Sequence, residues 1–229
     1  MTQNHGFHRQ NFRRMIRLTA MIGLLLAITA CTSHPLIMPE PLKPGERFAG
    51  YMLSVENALP QYVFRWGLSE RADLGLRLGL PPTQGNGIDL SYKLIELNDR
   101  IHLVNLGGSI GVDQNNNVSV TYLNSKKSPR KEKIRQGRKV FYKVSNTQFN
   151  YRYFGMRYLL IPSGMIGDRV HRFGFLYGLN RNHRWGAELG YFHDFAGGEK
   201  LTPLGRPSEH AAITGLSVRF WIGGLKVLD

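Results

Sequence analysis

The sequence predicts an all-β chain: an antiparallel up-and-down transmembrane β-barrel of about ten strands, within a range of 8 to 12, following a cleaved helical signal peptide. Three observations predict it. Apolar residues recur with period two in ten stretches, the connections between stretches alternate in length, and glycines share one strand face with charged residues while aromatic and aliphatic residues fill the other. The chain has 229 residues, enough for one domain, and the strand spacing runs almost to its end.

Residues 1–30 have the parts of a secretory signal: a basic region up to Arg17, an apolar run from Leu18 to Ile28, and a small residue, Ala30, before the expected cut. The run is shorter than the roughly 20 residues of a permanent membrane helix. Arg9, Arg13, Arg14 and Arg17 supply four of the +14 formal charges, so cleavage leaves +10. A basic excess of this size suits anionic neighbours. Ile28-Thr29-Ala30-Cys31 resembles the lipobox of bacterial lipoproteins. The resemblance implies that Cys31 is acylated and becomes the first mature residue, and that Thr32, not being Asp, directs the protein to the outer membrane. Residues 31–47 carry Pro35, Pro39, Pro41 and Pro44 and read as a lipid-anchored, extended tether. The single cysteine precludes an internal disulfide.

Residues 48–229 form the barrel domain. Its organising unit is a hairpin from Tyr62 to Leu80, in which Tyr62, Phe64, Trp66 and Leu68 and then Leu74, Leu76, Leu78 and Leu80 lie on one face, around a tight reversal at Ser69 to Ala72. The other strands are expected at Phe48 to Val55, Ile88 to Leu94, His102 to Val112, Val140 to Val144, Phe154 to Leu160, Phe173 to Leu179, Trp185 to Tyr191 and Leu216 to Ile222. Val118 to Leu123 alternates too, as a strand extension or an additional hairpin. The chain ends without the terminal aromatic common in single-chain barrels.

Short connections fall at Leu97 to Arg100, Asn146 to Asn150 and Asn180 to His183, in alternation with longer ones at Glu56 to Pro60, Pro81 to Asn86, Asp113 to Gln136, Ile161 to Arg169 and Phe195 to Ser208. Turns on one rim and loops on the other resemble an outer-membrane barrel with both termini on the turn side. Cys31 would then be anchored from the periplasmic side.

Gly67, Gly75, Gly79, Gly107, Gly111, Gly174, Gly178, Gly186 and Gly190 share the polar face with Arg65, Arg77, Asp89, Lys93, Arg172, Glu188 and Arg219. Glycine weakens a water-exposed strand, whereas inside a narrow barrel it leaves room for long charged side chains. These seven charges are therefore expected in the barrel interior, and the aromatic face toward lipid. On this assignment Leu76→Arg impairs assembly and Gly75→Ala matters less.

A basic stretch comprises Lys126, Lys127, Arg130, Lys131, Lys133, Arg135, Arg138 and Lys139, interrupted by Glu132. It is expected as an exterior loop for anionic partners, outer-membrane lipid and lipopolysaccharide phosphates among them. It lacks aromatics for base stacking, so nucleic acid is not an expected partner. No catalytic residues, metal ligands or cofactor are expected. His193 and Asp194 with Asp113 and Asp168 are only faintly similar to the rim constellation of omptin proteases, and none of His34, His102, His171, His193 and His210 is followed two residues later by a serine, as the resemblance to lipid A deacylases would require. The expected function is a non-enzymatic, lipid-anchored outer-membrane barrel with an envelope-structural or limited solute-passage role. Two other classes stay open: a periplasmic soluble barrel lipoprotein binding an apolar ligand, and a rim-site hydrolase.

Overall fold

The computed structural model describes residues 34–56, 60–79, 85–111, 116–136, 139–162, 169–196, 204–208 and 213–227. Eleven strands follow in chain order: β1 (Glu46–Ser54), β2 (Gln61–Ser69), β3 (Ala72–Gly79), β4 (Asn86–Leu97), β5 (Arg100–Ile110), β6 (Asn117–Gln136), β7 (Lys139–Ile161), β8 (Val170–Arg181), β9 (Trp185–Ala196), the two-residue β10 (Arg206–Pro207) and β11 (Leu216–Val227). All pairings are antiparallel between sequence neighbours, except that β11 pairs β9 and closes on β1. Ten strands thus make a closed up-and-down barrel, while β10 only caps Asp194 and His193 of β9. Closure leaves no sheet edge within the ten-stranded wall.

The opening hairpin forms as its alternation dictates, with Phe64 opposite Leu76 and Trp66 opposite Leu74. Tight turns at 70–71, 98–99 and 182–184 share one rim, where Asn98, Asn182 and His183 take left-handed backbone conformations. Glu46 and Val227 lie at this turn rim. The strand ends at Ser54 and Gln61, Gly79 and Asn86, Ile110 and Asn117, and Ile161 and Val170 lie at the opposite, loop rim.

The number of wall strands matches the sequence reading, but the sixth is a different segment. Asn117 to Lys126 is the wall strand, pairing β5 on one side and β7 on the other. Val140 to Val144, expected in the wall, instead pairs with Lys131 to Arg135 in a two-stranded extension. β5 stops pairing at Lys126 and β8 at Asn150, so the hairpin beyond those residues projects past the rim. Asn146 to Asn150, read as a turn, lies within β7 beside an irregularity where the partner of Pro129 is Phe149 and that of Lys131 is Val144. The basic stretch is therefore a hairpin on the turn rim, not a loop on the opposite one. Pairing drove the difference: Val118 to Leu123 extends continuously into 124–136, and a strand that long needs its own return arm.

Residues 34–42, expected as a free tether, are extended as their prolines dictate but lie inside the barrel. His34, Leu36, Ile37, Met38 and Leu42 are all buried. Leu36, Ile37, Met38 and Leu42 form one cluster with inward side chains of the wall, including Phe48, Met52, Leu103, Leu123, Leu159, Leu176, Phe192 and Trp221. The segment runs from His34, stacked on Phe192 toward the loop rim, to Leu42, which donates its amide to Asp73 near the turn rim.

Candidate functional site in the barrel lumen

The lumen is built by strand parity. In β2, Val63 and Arg65 are buried and Leu68 exposed; in β4, Asp89 and Ser91 are buried while Ile88, Leu90 and Tyr92 stand half-exposed on the outside. The same division holds for β7 and β8, where Tyr151, Tyr153, Arg157, Leu159, Arg172 and Leu176 point in and Phe154, Met156, Tyr158, Phe175 and Tyr177 point out. The inward face mixes charged side chains with apolar ones such as Leu159 and Leu176, and the outward face along the middle of the wall is mostly large and apolar.

Three ion-pair groups fill the interior. Arg65 bridges two carboxylates, with Nη2 2.5 Å from Asp73 and Nη1 2.8 Å from Asp89. It also donates to Ser91 Oγ (2.8 Å) and to the Leu36 carbonyl of the enclosed segment. Asn105 closes this group by donating to Asp89 (2.6 Å) and Ser91 (3.1 Å). In the second group Glu188 accepts from Arg219 and from Tyr153 (3.1 Å), with Arg157 Nη1 3.7 Å away. Here Arg219 donates to the carbonyls of His34 and Pro35 (both 3.3 Å), and Arg157 to Thr121 (2.9 Å) and the Pro35 carbonyl (3.5 Å). The third is Arg172 with Asp194, at 2.5 and 3.0 Å.

The wall thus grips residues 34–36 by backbone carbonyls. A chain buried beside charged groups has to satisfy its peptide oxygens, and the inward arginines supply the donors. Near the turn rim Glu40 is held by Lys127 (2.9 Å) and Tyr151 (2.5 Å). Burial pushes the Glu40 carboxyl up, but hydrogen bonds from Lys127 and Tyr151 outweigh it and hold the group below its ordinary value. His183, packed on the Tyr151 ring, is held below the ordinary imidazole value by burial, against the pull of Glu40 and Glu46.

Glycines make room as expected, and for more than charges. A Cβ at Gly75 would overlap Asp89 and Arg65; at Gly178 it would overlap the Tyr153 ring, and at Gly186 the Trp221 ring. At Gly67 it would run into the backbone of Leu42 and Lys43, where the enclosed segment leaves the lumen.

Of the seven expected interior charges, Arg65, Arg77, Asp89, Arg172, Glu188 and Arg219 are buried in the lumen. Lys93 is not among them. It keeps the inward parity of Asp89 and Ser91, opposite Leu103, but lies at the turn rim, where its side chain is 17% exposed and its amine pairs with Glu96 at 2.8 Å rather than with a lumen carboxylate. Asp73, Arg157 and Asp194 are interior charges that the sequence reading did not name; Asp73 sits beside a turn, where face assignment is ambiguous.

In the basic hairpin, Lys127 turns inward to Glu40 and lies over the Phe149 ring at 4.4 Å, so it serves the lumen. Lys126 pairs with Asp99 (3.3 Å) and Arg130 donates to Gln148 (2.8 Å), while Lys131 and Lys133 are exposed. Arg135 and Lys139 lie in the paired arms, and Arg138 lies outside the described residues. Cys31, Asp113, Asp168 and His210 also lie outside them. Of the omptin-like grouping only His193 and Asp194 are described: Asp194 is engaged by Arg172, and His193 Nε2 lies 2.8 Å from the Leu204 carbonyl. No group of three metal-ligating side chains occurs among the described residues.

Fold and lumen together define a closed ten-stranded antiparallel β-barrel with a polar interior, an apolar exterior and a segment of its own chain as plug. Comparison with family models, with curated proteins and with solved structures finds no match to this chain.

Proposed function

We propose that this protein is a lipid-anchored outer-membrane barrel held closed by its own residues 34–42, with an envelope-structural role and with solute passage only when that plug withdraws. The observation that carries this reading is the outer wall. Leu53, Ile88, Tyr92, Leu106, Val118, Phe154, Phe175, Tyr177, Leu189 and Phe220, spread over nearly every wall strand, are each at least 41% exposed. An apolar belt running around a whole molecule far exceeds the few hundred Å² of an ordinary soluble surface patch. Strands of 8 to 12 residues in most of the wall suit a tilted membrane crossing, which takes about 9–11. Most of the interior charges are paired, as low-dielectric surroundings require, while Arg77 keeps Nε and Nη1 without a hydrogen-bond partner among the described residues.

The plug bears on the alternatives. Leu36, Ile37 and Met38 occupy the lumen where an apolar ligand of a soluble barrel would sit. It also bears on the anchor. Three residues reach about 10 Å, so a lipid on Cys31 would lie near His34, toward the loop rim, while β1 begins at the turn rim. Anchoring from the periplasmic side and a periplasmic turn rim are therefore competing orientations.

The test is fractionation of cells expressing Cys31→Ser, with carbonate or urea extraction of their membranes. Retention of the unlipidated protein is expected. Release as a folded soluble species would reverse the reading and make the outer belt a surface covered by something other than lipid.

A further inference from the structure

At the turn rim, on the outer wall, cations line up across adjacent strands. Arg100 of β5 stands opposite Lys126 of β6, and Lys126 opposite Arg152 of β7. All three are exposed, and their neighbours Ile101, Ser125 and Tyr151 point into the barrel. Arg181 of β8 follows one position nearer the rim, opposite Asn150. At roughly 4.8 Å per strand, the row of three covers about 10 Å.

Like charges directly opposite one another in a sheet repel and are unfavourable. Among the described residues the carboxylate paired with this row is Asp99, 3.3 Å from Lys126 in an exposed pair. A depression of about 440 Å³, lined by Lys126, Asn150, Arg152, Leu179 and Arg181, opens beside the row, and a second of about 360 Å³ is lined by Arg130, Lys131, Arg181, Arg184 and Trp185. No carboxylate lines either.

Toward the barrel middle the same wall turns apolar. The next outward row reads Asn124, Phe154, Tyr177 and Leu189 in register, and the one after it Tyr122, Met156, Phe175 and Tyr191. We propose that Arg100, Lys126, Arg152 and Arg181 form a binding site for a phosphate-bearing membrane lipid, with its phosphates on the cation row and its acyl chains on the Phe154–Tyr177 wall. Arginine and phosphate match in charge and in hydrogen-bond geometry, and the apolar wall orders the chains beneath them. This inference rests on the wall facing lipid.

The test uses the full chain with its N-terminal signal removed, in detergent and in vesicles. Flotation with pure phosphatidylcholine vesicles checks membrane insertion alone; failure to float overturns the membrane reading itself. Native mass spectrometry then compares retained lipid from equimolar phosphatidylcholine and cardiolipin, and from equimolar phosphatidylcholine and diphosphoryl lipid A. Wild type is expected to enrich one phosphate-rich lipid on the order of tenfold or more, falling toward parity at high salt. Which lipid is enriched identifies the source and hence the leaflet at the turn rim. Arg100→Gln/Lys126→Gln/Arg152→Gln should abolish the enrichment while still floating, and Arg100→Lys/Arg152→Lys should retain most of it. A protein that floats but shows no preference, or a triple variant that keeps it, overturns the site.

Discussion

Arg65 donates to the carbonyl of Leu36 while pairing with Asp73 and Asp89, so one wall arginine ties a hairpin, its neighbouring strand and the plug together. Removing it leaves two carboxylates buried without their partner. Arg65→Met is expected to cost about 3–5 kcal/mol, the usual penalty for breaking a buried pair from one side. Adding Asp73→Asn and Asp89→Asn should recover part of that loss, read as the urea midpoint of the folded, heat-modifiable band. Equal stability of Arg65→Met and wild type would contradict the role given to this cluster.

The exit of the plug is set by a missing side chain. Gly67→Ala puts a methyl into the backbone of Leu42 and Lys43, whereas Gly224→Ala meets nothing within 4 Å. Limited proteolysis should cut the first variant near residues 34–43 with the barrel left intact, and leave the second like wild type. The same reasoning revises the expectation for Gly75→Ala, which now destabilises by crowding Asp89 and Arg65.

Closure of the pore depends on Leu36, Ile37 and Met38. In planar bilayers the intact chain should pass little current, and replacing these three by serine should raise conductance or its open fraction. Five lumen arginines, Arg65, Arg77, Arg157, Arg172 and Arg219, face five buried carboxylates, Glu56, Asp73, Asp89, Glu188 and Asp194, so the opened form should discriminate little between anions and cations. Unchanged low conductance would mean that the side chains of the wall alone seal the lumen.

Acid should loosen the plug at the turn rim. The Glu40 carboxyl is depressed below its ordinary 4.5 in the folded protein. Its contribution is therefore complete above that value and is lost as pH falls through the lower folded pKa. Protection of residues 34–42 from exchange or proteolysis should decline below about pH 4.5, and Glu40→Gln should remove this limb by being loose at all pH values.

Much of the wall was legible in the sequence because period-two alternation survives in each strand, and six of the seven expected interior charges face the lumen. Two features were not legible, for physical reasons. Apolar alternation ends at Leu123 while β6 continues through polar and basic residues to Gln136, so nothing local marks that stretch as strand or shows where it leaves the wall; only its pairing partners do. The plug has no periodicity of its own, and His34 to Leu42 reads as a proline-rich linker. Its trace was on the opposite side: Leu103, Leu123, Leu159, Leu176, Phe192 and Trp221 lie on the polar face, where apolar side chains need something apolar to cover them.

The native tryptophans offer the most direct test of which face meets lipid. Trp66 and Trp185 point outward, while Trp221 is 3% exposed and packs on the plug cluster. Single-tryptophan variants, with the other two changed to Phe, are reconstituted in vesicles with brominated acyl chains, which quench fluorescence on contact. Strong quenching of Trp66 and Trp185 with Trp221 spared is the expected result. Quenching of Trp221 alone, or of none of the three in a folded protein, would contradict a polar-inside barrel in the membrane.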